Sequence, residues 1–153
     1  MAWSTSASFA VTFLQQVSGT TYNLSSDSCK IALYNNSITP DKTVGTAVLS
    51  RYNGAASQWI TANEQTSPTP WPAGGVALAS QTWTQASNVN TFTAANTSSG
   101  AAATLSNVYG GLVYDVTQAS NGLAFLYFGG ANSVTAGVFS VIYNASGIMT
   151  VTT

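Results

Sequence analysis

The sequence predicts a mainly all-β fold, an antiparallel β-sandwich or barrel-like domain with one short helix. Two observations carry this. Short runs of β-branched, aromatic and other apolar residues recur along the chain, separated by clusters of Gly, Asn, Ser and Pro that favour turns. No internal repeat of fixed period appears, so a solenoid or propeller is not expected.

The elements follow in order. Phe9 to Val17 reads as a strand or short helix, because Phe9, Val11 and Phe13 alternate before Leu14 and Val17 break the pattern. Gly19 and the cluster Asn23–Ser28 punctuate. Lys30–Tyr34 is an apolar run between turn formers and predicts a strand. Thr39-Pro40-Asp41 has the chemistry of a helix start: a cap, a proline at the first position and an acid in the first turn. Val44, Ala47, Val48 and Arg51 follow at helical spacing, which predicts a helix from Pro40 to Tyr52, weakened by Gly45. Gln58–Ala62 is a strand candidate.

Residues 67–75 hold three prolines and two glycines, so they form a turn or surface loop that would present Trp71. Val76–Ala79, Gln81–Gln85 and Val89–Thr93 are short strand candidates, and Asn96–Ala102 is expected to be a flexible loop. Leu105–Asp115 holds strands. Leu123–Phe128 is continuously apolar and predicts a central strand stopped by Gly129-Gly130. Gly137–Tyr143 and Ile148–Thr153 flank the turn Asn144-Ala145-Ser146-Gly147, which predicts a hairpin.

The 153 residues fit one domain, 1–153, with residues 1–17 expected as an N-terminal arm that docks on a neighbour. Charged residues make up 5% of the chain, against roughly 25% in ordinary globular proteins. They are Asp27, Lys30, Asp41, Lys42, Arg51, Glu64 and Asp115. Ser and Thr together supply 41 residues of the polar remainder. Free monomers usually carry charge for colloidal stability, whereas a protein covered by neighbours has no such need. Three scattered basic residues cannot neutralise a row of phosphates, so nucleic acid is not an expected partner. No stretch approaches the ~18 apolar residues of a membrane span, and the N-terminus lacks the pattern of a signal peptide.

Catalytic equipment is sparse. The chain has no His, which removes the commonest general base and metal ligand. Neither a Ser triad nor a Cys–His pair can therefore be built. No zinc spacing, phosphate loop or dinucleotide fingerprint is present. Gly74-Gly75 and Gly129-Gly130 read as tight turns. Four carboxylates could in principle supply a glycosidase pair, but their spacing gives no reason to expect it. Cys29, the single cysteine, is expected as a buried, inert thiol. No catalytic residue, cofactor or metal site is expected.

The aromatic residues have three uses: core, interface or sugar platform. Trp59 and Trp83 flank strand-like segments and are expected in the core. Trp3, Phe9, Trp71 and Pro72 are the interface candidates, Trp71 foremost because prolines hold it on both sides.

Four stretches together, Lys30–Asp41, Trp71–Leu78, Gly111–Asp115 and Phe128-Gly129-Gly130 followed by Ser133–Gly137 and the expected final hairpin, resemble small virion proteins of tailed bacteriophages. The resemblance runs from about Asn23 to the C-terminus. It implies a capsid decoration (cement, or minor capsid) protein that binds the major capsid protein and itself, as a homotrimer, on the outer surface of a virion assembled in the bacterial host cytoplasm. It implies no catalytic residue; charge and hydropathy have already given no reason to expect a nucleic-acid or membrane partner. A tail or tail-fibre component is the alternative within the virion. A non-catalytic carbohydrate-binding module and an acid-pair hydrolase are the alternatives outside it.

Overall fold

The structure is a computed structural model that describes residues 3–18 and 22–152. The protein is mainly β, with 43% strand and 9% helix in antiparallel sheets. In chain order the elements are β1 (Ala7–Ser8), α1 (Ala10–Ser18), β2 (Cys29–Tyr34), α2 (Ala47–Ser50), β3 (Glu64–Gln65), β4 (Val76–Ala77), β5 (Thr82–Ala86), β6 (Val89–Thr93), β7 (Thr97–Ser98), β8 (Ala103–Asp115), β9 (Asn121–Gly137), β10 (Ser140–Val141) and β11 (Met149–Thr152).

β2 is the spine. Five of its six residues are buried, as a short apolar run covered on both faces should be. β8 pairs along one side of it; β3 and β4 pair end to end along the other. β9 pairs with β8, and β1 covers part of the outer edge of β9, giving a main sheet in the order β1-β9-β8-β2-β3 with β4 as its sixth strand.

The period-two alternation of β2 divides the core. Ile31 and Leu33 face one cluster and Ala32 and Tyr34 the other. The first cluster lies under two small sheets, β5–β6–β11 and β7–β10, which bring down Phe92, Met149 and Val141. The second is aromatic: Trp3, Phe9, Tyr34, Trp59 and Phe125 meet edge-on or stacked at centroid distances of 5.1–6.3 Å. Each such side chain contributes roughly 1.5–3 kcal/mol by its burial. One bulge helps fill both clusters. Val113 lies opposite Ala124 and Tyr114 opposite Gly122, so Leu123 is the extra residue; it joins the first cluster while Phe125 joins the second.

Several sequence expectations are met. β2, β6 and the β4 and β5 region lie where the pattern places them, and Cys29 is a buried thiol pushed up to about 12 by that burial. Others are corrected. The helix expected over residues 40–52 shrinks to α2. Asp41 accepts hydrogen bonds from the backbone N–H and hydroxyl of Thr43, at 2.7 and 2.6 Å, and so closes a local turn instead of starting a helix. The strand expected at Gln58–Ala62 gives way to a 3-10 turn at Thr61–Asn63. Asn96–Ala102 holds β7. β9 does not stop at Gly129-Gly130 but runs through them to Gly137.

The C-terminal hairpin does not form. The turn Asn144–Gly147 is present, closed by a 2.8 Å bond from the Gly147 N–H to the Asn144 carbonyl, but its two arms diverge. β10 pairs with β7, and β11 pairs with β6. The tight hairpin is instead β5–β6, joined through Ser87 and Asn88 with Ser87 at φ +52°. The expected break at Gly19, and Met1 and Ala2 of the expected arm, fall outside the described residues.

Candidate interaction surface

Of the four interface candidates, Pro72 is exposed, whereas Trp3, Phe9 and Trp71 are fully buried in the chain's own core. That corrects the expectation that Trp71 is presented to solvent. Ser67 and Trp71 exchange both backbone hydrogen bonds, at 2.8 Å each, and this tight bend turns the indole inward against Phe139. Trp3 is held by a 2.9 Å bond from its indole N–H to the Asn35 carbonyl and lies over Gly110. A Cβ on Gly110 would come within 2.4 Å of that indole ring, so only glycine lets the ring sit there. Residues 3–12 thus pack on their own sheet, Ala7 opposite Phe125, the Phe9 N–H on the Leu123 carbonyl and the Thr12 hydroxyl on the Gly122 carbonyl. Trp59 is core, as expected, and Trp83 is half-buried against the first cluster. No exposed row of tryptophans offers a sugar platform among the described residues.

The carboxylates occupy three kinds of place. Asp41 is exposed in its turn, and its hydrogen bonds from Thr43 hold it below the usual carboxylate range. Glu64 is buried beneath Tyr52, whose hydroxyl donates to it at 2.9 Å, while the Gly74 N–H donates at 2.9 Å to its other oxygen. Gly74 and Gly75, both at positive φ, therefore cradle this chain's own carboxylate, and the loss of water pushes Glu64 up. Asp27 and Asp115 touch each other, which nothing in their spacing suggested. Asp115 is completely buried, so the pair leaves no room for the scissile bond that a glycosidase holds between acids ~5–9 Å apart. Among the described residues no three of His, Cys, Asp and Glu gather where they could hold a metal ion. No helix there is long and apolar enough to cross a membrane.

The distribution of charge is uneven in space. Residues 65–114 and 116–153 carry no charged side chain at all. All seven charges therefore sit on the segment 27–64 or at Asp115, where β8 ends beside Cys29 and Asn121. Both small sheets and the distal arm of the main sheet, 103–110 with 128–137, are free of charge. Sparse charges look scattered in a linear reading; the gap after Glu64 was the available signal.

The charge-free end also carries exposed apolar surface. Ile142 is 77% exposed and Val138 60%. Two adjoining hollows share Phe128, Val141 and Ile142 and together make a trough between the outer edge of β9 and residues 139–148. Among the described residues no strand pairs with that edge beyond β1, and it carries none of the lysines that commonly protect an edge. A second apolar patch, Phe13, Leu14, Val48 and Leu49 on α1 and α2, lies on the charged side. No family model matches the sequence, and neither a curated protein nor a solved structure matches it.

Proposed function

We propose that this chain is a structural virion protein that decorates and stabilises a tailed-phage capsid, binding the lattice of the major capsid protein through its charge-free end. The single observation that carries the reading is the coincidence, at one end of the molecule, of an absence of charge with the Phe128–Val141–Ile142 trough and the open edge of β9. A solvent-facing surface gains from charge, and a surface covered in an assembly gains from its absence. The resemblance to small phage virion proteins points the same way. A homotrimer suits this role, since closed cyclic contacts fit the symmetric positions of a shell. The reading involves no catalysis, cofactor or nucleic acid.

The test is direct imaging and binding. Heads bearing the protein should show it on their outer surface at side-chain resolution, and heads lacking it should break at lower temperature. Ile142→Asp should remain folded and fail to bind bare heads. Retention of the protein on detached tails, with none on heads, would move the reading to a tail component.

A further inference from the structure

We propose that Asp27 and Asp115 form a proton-operated latch, which holds the Asn23–Asp27 turn against the end of the main sheet while the two carboxyl groups share one proton and releases it when that proton leaves. The proposal stands on a different part of the molecule from the docking surface and does not depend on it.

Asp115 is the last residue of β8, opposite Cys29 on β2 and Asn121 on β9, and it is 0% exposed. Its Oδ1 accepts the Gln118 N–H at 3.1 Å, while no donor reaches its Oδ2. Asp27 ends the facing turn. Its Oδ2 accepts the Asn23 N–H at 2.7 Å, and the Asn23 carbonyl accepts the N–H groups of Ser26 and Asp27 at 2.8 Å. The Gln81 amide then ties the turn to the molecule through the carbonyls of Leu24 and Asp27.

The two carboxyl groups lie in hydrogen-bonding contact, and two carboxylates are both acceptors. One proton on Asp115, donated from Oδ2 to Asp27, supplies what the buried oxygen lacks. Without it, a desolvated charge faces a like charge.

Other groups around the pair do not replace the proton. Cys29 is itself buried and neutral. Lys30 is next along β2 and alternates to the other face of the sheet. Tyr22 donates its hydroxyl proton to Gln15 and accepts from the Asn121 amide. Arg51, the nearby cation, has its Nε on the Asn121 carbonyl oxygen at 3.1 Å.

Burial is the largest influence on Asp115, and with the Asp27 charge it pushes the carboxyl from 3.8 up to about 6, against the pull of the Gln118 and Thr117 N–H groups. The folded state then holds a proton that the unfolded chain has lost. The stabilisation is complete below about pH 3.8 and disappears as the pH rises through about 6. That displacement separates the folded from the unfolded chain, and the Asp27 contact supplies one part of it. Opening the turn lifts Leu24 from the first core cluster and uncovers Cys29, the single thiol of the chain.

Cys29 is thus a built-in probe. The native chain, Asp115→Asn and Asp27→Asn are to be labelled with an aromatic disulfide reagent at pH 5 and pH 7.5, with melting followed over the same range. Either amide donates across the pair and leaves no like-charge contact. The native thiol should react at least about tenfold faster than either variant at pH 7.5, and at a similar rate at pH 5. The native melting temperature should fall across this range more steeply than that of either variant. Glu64 titrates in the same direction elsewhere and is present in all three proteins, so the difference isolates the pair. If one variant fails to fold, the other decides. Equal labelling of all three at both pH values would overturn the latch. So would protection of the native thiol at pH 7.5 by added calcium, which would make the pair a cation site instead.

Discussion

The two ends of the β8–β9 pair are built on different rules. From Gly110 to Asp115 and from Asn121 to Phe125 every residue is buried, charges lie close by, and aromatic side chains cover one face. Beyond Gly110 and Phe128 the same two strands alternate between buried or half-buried and exposed residues, carry no charge, and border an apolar trough. The first end is held by its own chain. The second has polar surface of the Ser, Thr and Asn kind and apolar side chains left outside. Stability belongs to the first end, and the second is the one the proposed docking would use.

The comparison breaks most sharply at its boundary. Gly110→Val would drive a side chain into the Leu126 carbonyl, 2.3 Å from the Cβ position, and into the Trp3 ring; no soluble folded protein is expected, as circular dichroism and gel filtration would report. Trp3→Ala empties the aromatic cluster and should cost about 3–5 kcal/mol in denaturant unfolding. Glu64→Ala leaves the Tyr52 hydroxyl and the Gly74 N–H without their acceptor, and the same measurement should fall by about 2–3 kcal/mol. At the other end, Ile142→Ser should change stability by less than about 0.5 kcal/mol while abolishing attachment to capsids. A loss of stability there as large as at Trp3 would erase the distinction. The smallest effect sharpens it: attachment through a charge-free face should be nearly unchanged between dilute buffer and about 1 M salt.

The sequence was informative where local pattern and final packing agree. Cys29–Tyr34 is a strand because its apolar run suits the two-sided burial it meets, and Val89–Thr93 is one that buries Phe92 alone. It misled where a distant partner decides. The residues on either side of Asn144–Gly147 have hairpin chemistry, yet β6 and β7 offer each arm a better neighbour. Asp41 has the right type and place for a helix start, but the Thr43 hydroxyl captures it first. Trp71 sits between prolines, and only the folded bend shows that the ring points inward. Asp27 and Asp115 meet because β2 and β8 pair, a register no local reading supplies. Even the trough depends on residues 126–128 and 139–148 approaching one another.

The C-terminal strands have a consequence for the order of synthesis. β10 supplies one of the two strands of one small sheet, and β11 is an outer strand of the other. Met149 and Val141 are buried members of the core beneath them. A nascent chain halted before residue 140 therefore exposes an unfinished core and two unpaired edges. The first core cluster closes only once β10 and β11 have left the ribosome, and a chain that lacks them keeps Phe92 and its neighbours open to water.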